Sequence, residues 1–133
     1  GHAPVAFEDG AQTRDFVNVA DVARAFHLAV ESDADGAALN VCTGQPSSVV
    51  DVAHALAKGL DLAIEPEVVG KYRAGDIRHC IGDPTRAAEL LDFRAAMAVG
   101  TGLGQLAEWL AGQEADDRVD QAMDELRRRG LER

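Results

Sequence analysis

Thr13-Arg14-Asp15-Phe16-Val17-Asn18-Val19-Ala20-Asp21-Val22-Ala23 carries a β-prone run straight into a helical pattern. Thr, Phe and Val suit a pleated, half-buried strand. Asn18 then offers a side-chain oxygen to the free N–H groups of a first turn, and Val19, Val22, Ala23, Phe26 and Val30 recur at helical spacing. The helix is expected to end near Ser32, where Asp33-Ala34-Asp35-Gly36 breaks the period. Upstream, residues 4–8 (PVAFE) form another β-prone run, and Asp9-Gly10-Ala11-Gln12 between the two reads as a hairpin turn.

Downstream the strand-to-helix order repeats. Residues 37–42 (AALNVC) are apolar but for one Asn and are bounded by Gly36 and Gly44, the pattern of a strand buried on both faces. Thr43-Gly44-Gln45-Pro46 is a tight loop. Ser48 and Asp51 then have capping-box spacing at the head of a helix with Val49, Val52, Ala53, Leu56 and Leu60 on its inner face. Two such units imply an α/β chain with a mostly parallel sheet. Residues 64–69 (IEPEVV) contain a proline and read as an edge strand, and residues 71–81 as a basic loop followed by a short strand. Asp83-Pro84 starts a helix with Ala87, Leu90 and Leu91 inward, and Thr101 starts another with Leu103, Leu106, Ala107 and Leu110 on its apolar face. A last helix over roughly 116–129 has acids at its start and Arg127-Arg128-Arg129 at its end, matching the helix dipole, which brings the helices to about five.

The sequence has 133 residues, enough for one domain with its own core. A formal charge of −10 repels phosphodiester backbones and anionic membranes, so nucleic acid and membrane are excluded as expected partners. Cys42 and Cys80 are too few for a disulfide framework and lack metal-knuckle spacing; they read as reduced thiols of a cytoplasmic protein. Gly1-His2 reads as the remnant of a cleaved tag.

Dinucleotide, metal and hydrolytic chemistry all lack a motif. Gly100, Gly102 and Gly104 have the wrong spacing for a G-x-G-x-x-G turn, the four histidines are scattered, and no serine sits in a nucleophile elbow. No catalytic, cofactor-binding or metal residue is therefore assigned. What remains are arginines in loops or at strand ends: Arg14, and Arg73 in Lys71-Tyr72-Arg73-Ala74-Gly75-Asp76. Two guanidinium forks from separate loops can clamp a diphosphate. Asp76 has two acceptor oxygens for the hydroxyls of a ribose. The same three residues can instead make surface ion pairs, and composition alone favours that reading.

The segment from Phe7 to Ala23 (FEDGAQTRDFVNVADVA) resembles the extended short-chain dehydrogenases/reductases of the NAD-dependent nucleotide-sugar epimerase/dehydratase family. Leu39-Asn40-Val41-Cys42-Thr43-Gly44, Ser48-Val49, Arg73-Ala74-Gly75-Asp76-Ile77-Arg78-His79, Asp83 with Arg86-Ala87, and Gly102-Leu103 to Trp109 follow in that family's order. The resemblance covers residues up to about 113 and implies the C-terminal, substrate-binding portion (1–113, with the last strand-helix units of a Rossmann sheet), followed by a helical extension (114–133). It implies that Arg14 and Arg73 hold the diphosphate of a nucleotide sugar, that Asp76 meets the ribose, and that Gln45 reaches the nucleobase. It also implies a partner, an N-terminal Rossmann portion carrying the NAD loop and a Tyr-x-x-x-Lys pair. These residues contain neither element, so no NAD binding and no catalysis is expected of the chain alone, and an uncovered sheet edge would favour a homo-oligomer.

The run from Gly75 to His79 is most similar to epimerases of the UDP-glucose 4-epimerase kind. A dTDP-glucose 4,6-dehydratase-like parent, or a non-catalytic nucleotide-binding or oligomerising module, stands as the alternative. Three positions depart from the pattern: Asn18 where Tyr or His is usual, Cys42 where Gly is common, and Ile81-Gly82 in place of an aromatic-alanine pair.

Overall fold

A computed structural model describes residues 3–114 and 116–132; Gly1-His2, read as a tag remnant, lies outside them. Among the described residues the order is β1 (Val5–Ala6), β2 (Thr13–Asp15), α1 (Val19–Glu31), β3 (Pro46–Ser48), α2 (Val49–Gly59), β4 (Glu67–Val68), β5 (His79–Cys80), α3 (Thr85–Leu91), α4 (Val99–Ala111) and α5 (Val119–Arg128). The α/β class and the five helices are as the sequence implies. Local chemistry sets the helix starts. Asn18 Oδ1 accepts from Ala20 N at 2.9 Å, Ser48 and Asp51 close a reciprocal capping box, and Asp83 Oδ1 accepts from Thr85 N at 2.9 Å.

The strands are short and fall into two sheets. β1 pairs with β4 in parallel. In the other sheet β2 is central, antiparallel to β3 and parallel to β5. This corrects the expected hairpin, because β1 and β2 are not neighbours. The chain does turn between them: Gly10 has φ 75° and donates to Phe7 O, and Asp9 Oδ1 accepts from Ala11 N. A β-carbon at Gly10 would collide with Val50 of α2, so the turn is seated on that helix. The flanking runs then diverge, Glu8 N donating to Lys71 O and Thr13 N to Arg78 O.

A second correction concerns residues 37–42, which pair with no strand among the described residues. Leu39 and Val41 still pack on the core cluster of Ala25, Ala87, Leu91 and Phe93. Apolar sequence supplies the burial signal of a strand, but a ladder needs a neighbouring backbone to bond.

The apolar spacing of α1 also has a different consequence from the one its periodicity suggests. Val19, Phe26 and Val30 are 80%, 69% and 85% exposed, while Asp21, Ala25 and Leu28 face the rest of the chain. The inward face is set by a polar anchor. Asp21, 4% exposed, accepts from Ala96 N and Met97 N at 3.0 and 2.9 Å. Beside it Arg24 bonds Asp21 and lies 4.8 Å over the Phe93 ring. Burial works to raise the Asp21 pKa, but the Met97 N–H, Arg24 and the Ala96 N–H outweigh it and hold the carboxyl below its ordinary value.

α4 begins at Val99 rather than Thr101, and Leu106 and Leu110 of its expected apolar face stay exposed; the side packed on α2 is that of Ala107. Gly59 permits the approach, since a β-carbon there would stand 2.8 Å from Ala107 Cβ.

Candidate functional site

Arg14 lies in the central strand β2, opposite Ser47 of β3 and Cys80 of β5. Directly opposed residues share a face, so the guanidinium leaves the sheet on the Ser47 and Cys80 side. Its Nη1 donates to Thr13 O at 2.9 Å and Arg78 O at 3.1 Å, and its Nη2 donates to Asp76 Oδ1 at 2.9 Å. Two residues singled out from sequence are thus in direct contact, both part-exposed.

Arg73 belongs to the same corner. Asp76 N donates to Arg73 O at 3.1 Å across a turn in which Gly75 has φ 82°, a left-handed conformation that suits glycine. The Arg73 guanidinium lies 5.1 Å over the Phe7 ring, which holds it against the end of β1. Gln45 sits on the other side of β2, next to Pro46, whose register partner is Asp15. The fold thus brings Arg14 and Asp76 into contact, ties Arg73 to Asp76 through its backbone while its guanidinium stacks on Phe7, and leaves Gln45 exposed at the opposite strand end.

The loop carrying Gln45 is held by a residue that sequence reasoning did not single out. Asp15 accepts from Thr43 N at 2.8 Å, Thr43 Oγ1 at 2.5 Å and Gly44 N at 2.8 Å. Burial pushes the Asp15 pKa up, yet the Thr43 hydroxyl and the N–H groups of Thr43, Gly44 and Gly82 prevail and hold it below the ordinary carboxylate value. Its place beside Arg14 in the strand-to-helix stretch was the available clue.

A second missed residue is Arg78. It pairs with Glu8 and, through Nη2 at 2.7 Å, with Asp9, whose pKa it lowers to about 2, helped by the Ala11 N–H. The basic residue most fully committed to ion pairing in this region is thus Arg78. His79 bonds through Nδ1 to Thr13 Oγ1 at 2.8 Å, across the β2–β5 ladder and on the face opposite Arg14.

Two of the departing positions acquire a local role. Asn18, the α1 cap, lines an apolar cleft of about 260 Å³ together with Val19, Met97 and Leu103. Cys42 lines a cleft of about 470 Å³ with Thr43, Pro84 and Arg94. For a cofactor or metal the described residues offer little. Gly100, Gly102 and Gly104 lie inside α4 rather than in a strand-to-helix turn, so they do not fit a dinucleotide phosphate, and no three metal-ligating side chains converge among the described residues.

The description NAD dependent epimerase/dehydratase family belongs to a family model that matches residues 1–42. A dTDP-L-rhamnose 4-epimerase from Burkholderia thailandensis is 35% identical over 111 residues, 83% of this chain and 30% of that protein. The chain belongs to the NAD-dependent epimerase/dehydratase family. A UDP-glucose 4-epimerase from Mycolicibacterium smegmatis is 35% identical over 109 residues, 82% of this chain and 34% of that protein. The crystal structure of UDP-glucose 4-epimerase with UDP-glucose from Thermotoga maritima superposes with a TM-score of 0.76 at 32% identity, covering 83% of this chain and 35% of that one. This family member thus spans about a third of the length of the relatives it matches. Among its described residues no helix is long and apolar enough to cross a membrane.

Proposed function

We propose that the chain is the nucleotide-sugar-binding portion of an NAD-dependent sugar-nucleotide 4-epimerase of the UDP-glucose 4-epimerase kind. The observation that carries this reading is the likeness to proteins named as 4-epimerases, one of them solved with UDP-glucose, beside which Arg14 and Asp76 lie in contact at 2.9 Å with Arg73 in the same turn. One corner then holds two cationic forks for a diphosphate and one carboxylate for a ribose. In the free protein Asp76 occupies an N–H of Arg14. A bound nucleotide sugar exchanges these partners, the phosphate oxygens taking the Arg14 donors and the ribose hydroxyls donating to Asp76. Gln45, exposed at the end of the Asp15-pinned loop, is the group for the nucleobase. The relatives named as 4-epimerases favour epimerisation over dehydration.

In this reading residues 1–113 provide the grip and residues 114–133 are a helical extension. NAD, which supplies hydride exchange with the sugar, and the Tyr-x-x-x-Lys pair belong to an N-terminal Rossmann portion. The exposed Val19, Phe26 and Val30 stripe and the unpaired run 37–42 are suited to pack against such a portion, the first as an apolar face and the second as a strand awaiting neighbours. The unpaired cysteines fit a cytoplasmic, reducing setting. The sequence of the native gene upstream of residue 3 tests the enzymatic part. A glycine-rich strand-to-helix turn followed by Tyr-x-x-x-Lys is expected there, and an upstream sequence with neither contradicts it.

A further inference from the structure

The turn that carries Arg73 and Asp76 is held from outside by a segment beyond residue 113. Ala74 N donates to Leu131 O at 2.7 Å, and Arg73 and Glu132 form an antiparallel bridge. The Glu132 side chain is 6% exposed and engages a cation with each oxygen, Lys71 Nζ at 2.6 Å on Oε1 and Arg127 Nε at 2.9 Å on Oε2. Those bonds hold its pKa below the ordinary value, Lys71 contributing most. Arg127 belongs to α5, whose Val119 and Met123 line a groove with Val5 and Val68. The Ala74 amide thus ties the backbone of the turn to this segment.

We propose that Glu132 is a positioning residue: the segment from α5 to Glu132 straps the 71–76 turn and fixes Arg73 and Asp76 in the geometry that grips a nucleoside diphosphate. The proposal rests on the nucleotide-sugar reading of that corner. Its physical basis is that a carboxylate bonded to two cations holds Lys71, at the entry of the turn, and Arg127, on the helix, in one fixed arrangement. With its backbone tied at Ala74, the turn loses less conformational freedom when ligand arrives, so affinity is higher.

The test uses the full 133-residue chain, UDP as probe, and two variants, Glu132→Gln and Arg127→Gln. Glu132→Gln is expected to weaken UDP binding about tenfold by calorimetry and to speed hydrogen exchange at the Ala74 amide, leaving exchange at Phe93 unchanged. Arg127→Gln, which takes away the helix-side partner of Glu132 and leaves the turn's own residues intact, is expected to give both effects to a smaller degree, which a loss of charge at the turn itself would not explain. Unchanged Ala74 exchange in Glu132→Gln overturns the strap. Faster exchange with undiminished UDP affinity overturns the positioning role while leaving the nucleotide-sugar reading intact. A wild-type chain that binds no UDP overturns that reading and, with it, the positioning role, and the exchange data still report whether the strap exists.

Discussion

Gly82 and Cys42 fit together because one of them has no side chain: a β-carbon on Gly82 would stand 2.5 Å from Cys42 Sγ and 2.7 Å from Cys42 Cβ. Both positions depart from the family pattern, Cys where Gly is common and Gly where Ala is usual. The structure makes them one coupled change, in which the thiol occupies the space vacated by the missing methyl. Gly82→Ala alone is expected to overpack the contact and cost about 1–3 kcal/mol. Adding Cys42→Gly is expected to recover most of that loss, although a new glycine has its own entropic cost. Urea unfolding of both single variants and the double variant measures the coupling, and additive effects would sink the pairing.

Arg14 and Asp76 separate stability from binding. Both are part-exposed, so their ion pair contributes little to folding, and Arg14→Ala is expected to lower stability by less than about 1 kcal/mol. Charge-assisted hydrogen bonds to a diphosphate are each larger, so affinity for UDP is expected to fall by about 10- to 100-fold. Thermal unfolding and calorimetry on one preparation decide this. A variant destabilised as strongly as it is weakened in binding would make Arg14 a structural residue.

Acid unfolding follows from the carboxylates held low. Asp9 lies at about 2 through Arg78, and Asp15, Asp51 and Asp83 are also lowered. A carboxyl with a depressed folded pKa contributes stability that is complete above its unfolded value near 4 and lost as pH falls through the folded value. The urea midpoint is therefore expected to be insensitive to these groups above about pH 5 and to fall between about pH 4 and pH 2. Arg78→Gln removes the largest part of the Asp9 contribution, leaving the Ala11 N–H, and should flatten that decline.

The outer face of α1 predicts self-association. Three exposed large apolar residues along one helix favour contact with another apolar body. Phe26→Asp is expected to reduce concentration-dependent association, followed by sedimentation velocity, without lowering thermal stability. No change in association would show that the stripe is inert in solution.

Elements governed by nearby atoms were legible in the sequence. The Asn18 cap, the Ser48 and Asp51 box and the Asp83 start each depend on residues two or three apart, and all appear as read. Pairing partners were not legible, because β1 joins β4 across some sixty positions and the 9–12 turn is seated on Val50. Periodicity marked an apolar face on α1 but not the body that covers it; Asp21, a polar residue, fixes the inward side through backbone N–H groups 75 and 76 positions away. Side-chain chemistry and family resemblance singled out Arg14 and Asp76, and the fold puts those two in contact. The Asp15 clamp and the Glu132 strap were not legible, since nothing in the sequence shows which of several carboxylates will meet distant donors.

Calorimetric titration of the chain with UDP-glucose, with UMP as the monophosphate control, tests the central claim most directly. The account predicts that UDP-glucose binds, that UMP binds at least about tenfold more weakly, and that Arg14→Ala and Arg73→Ala each abolish most of the difference. Equal affinity for the two ligands, or a difference that survives both substitutions, would contradict a diphosphate grip built from Arg14 and Arg73.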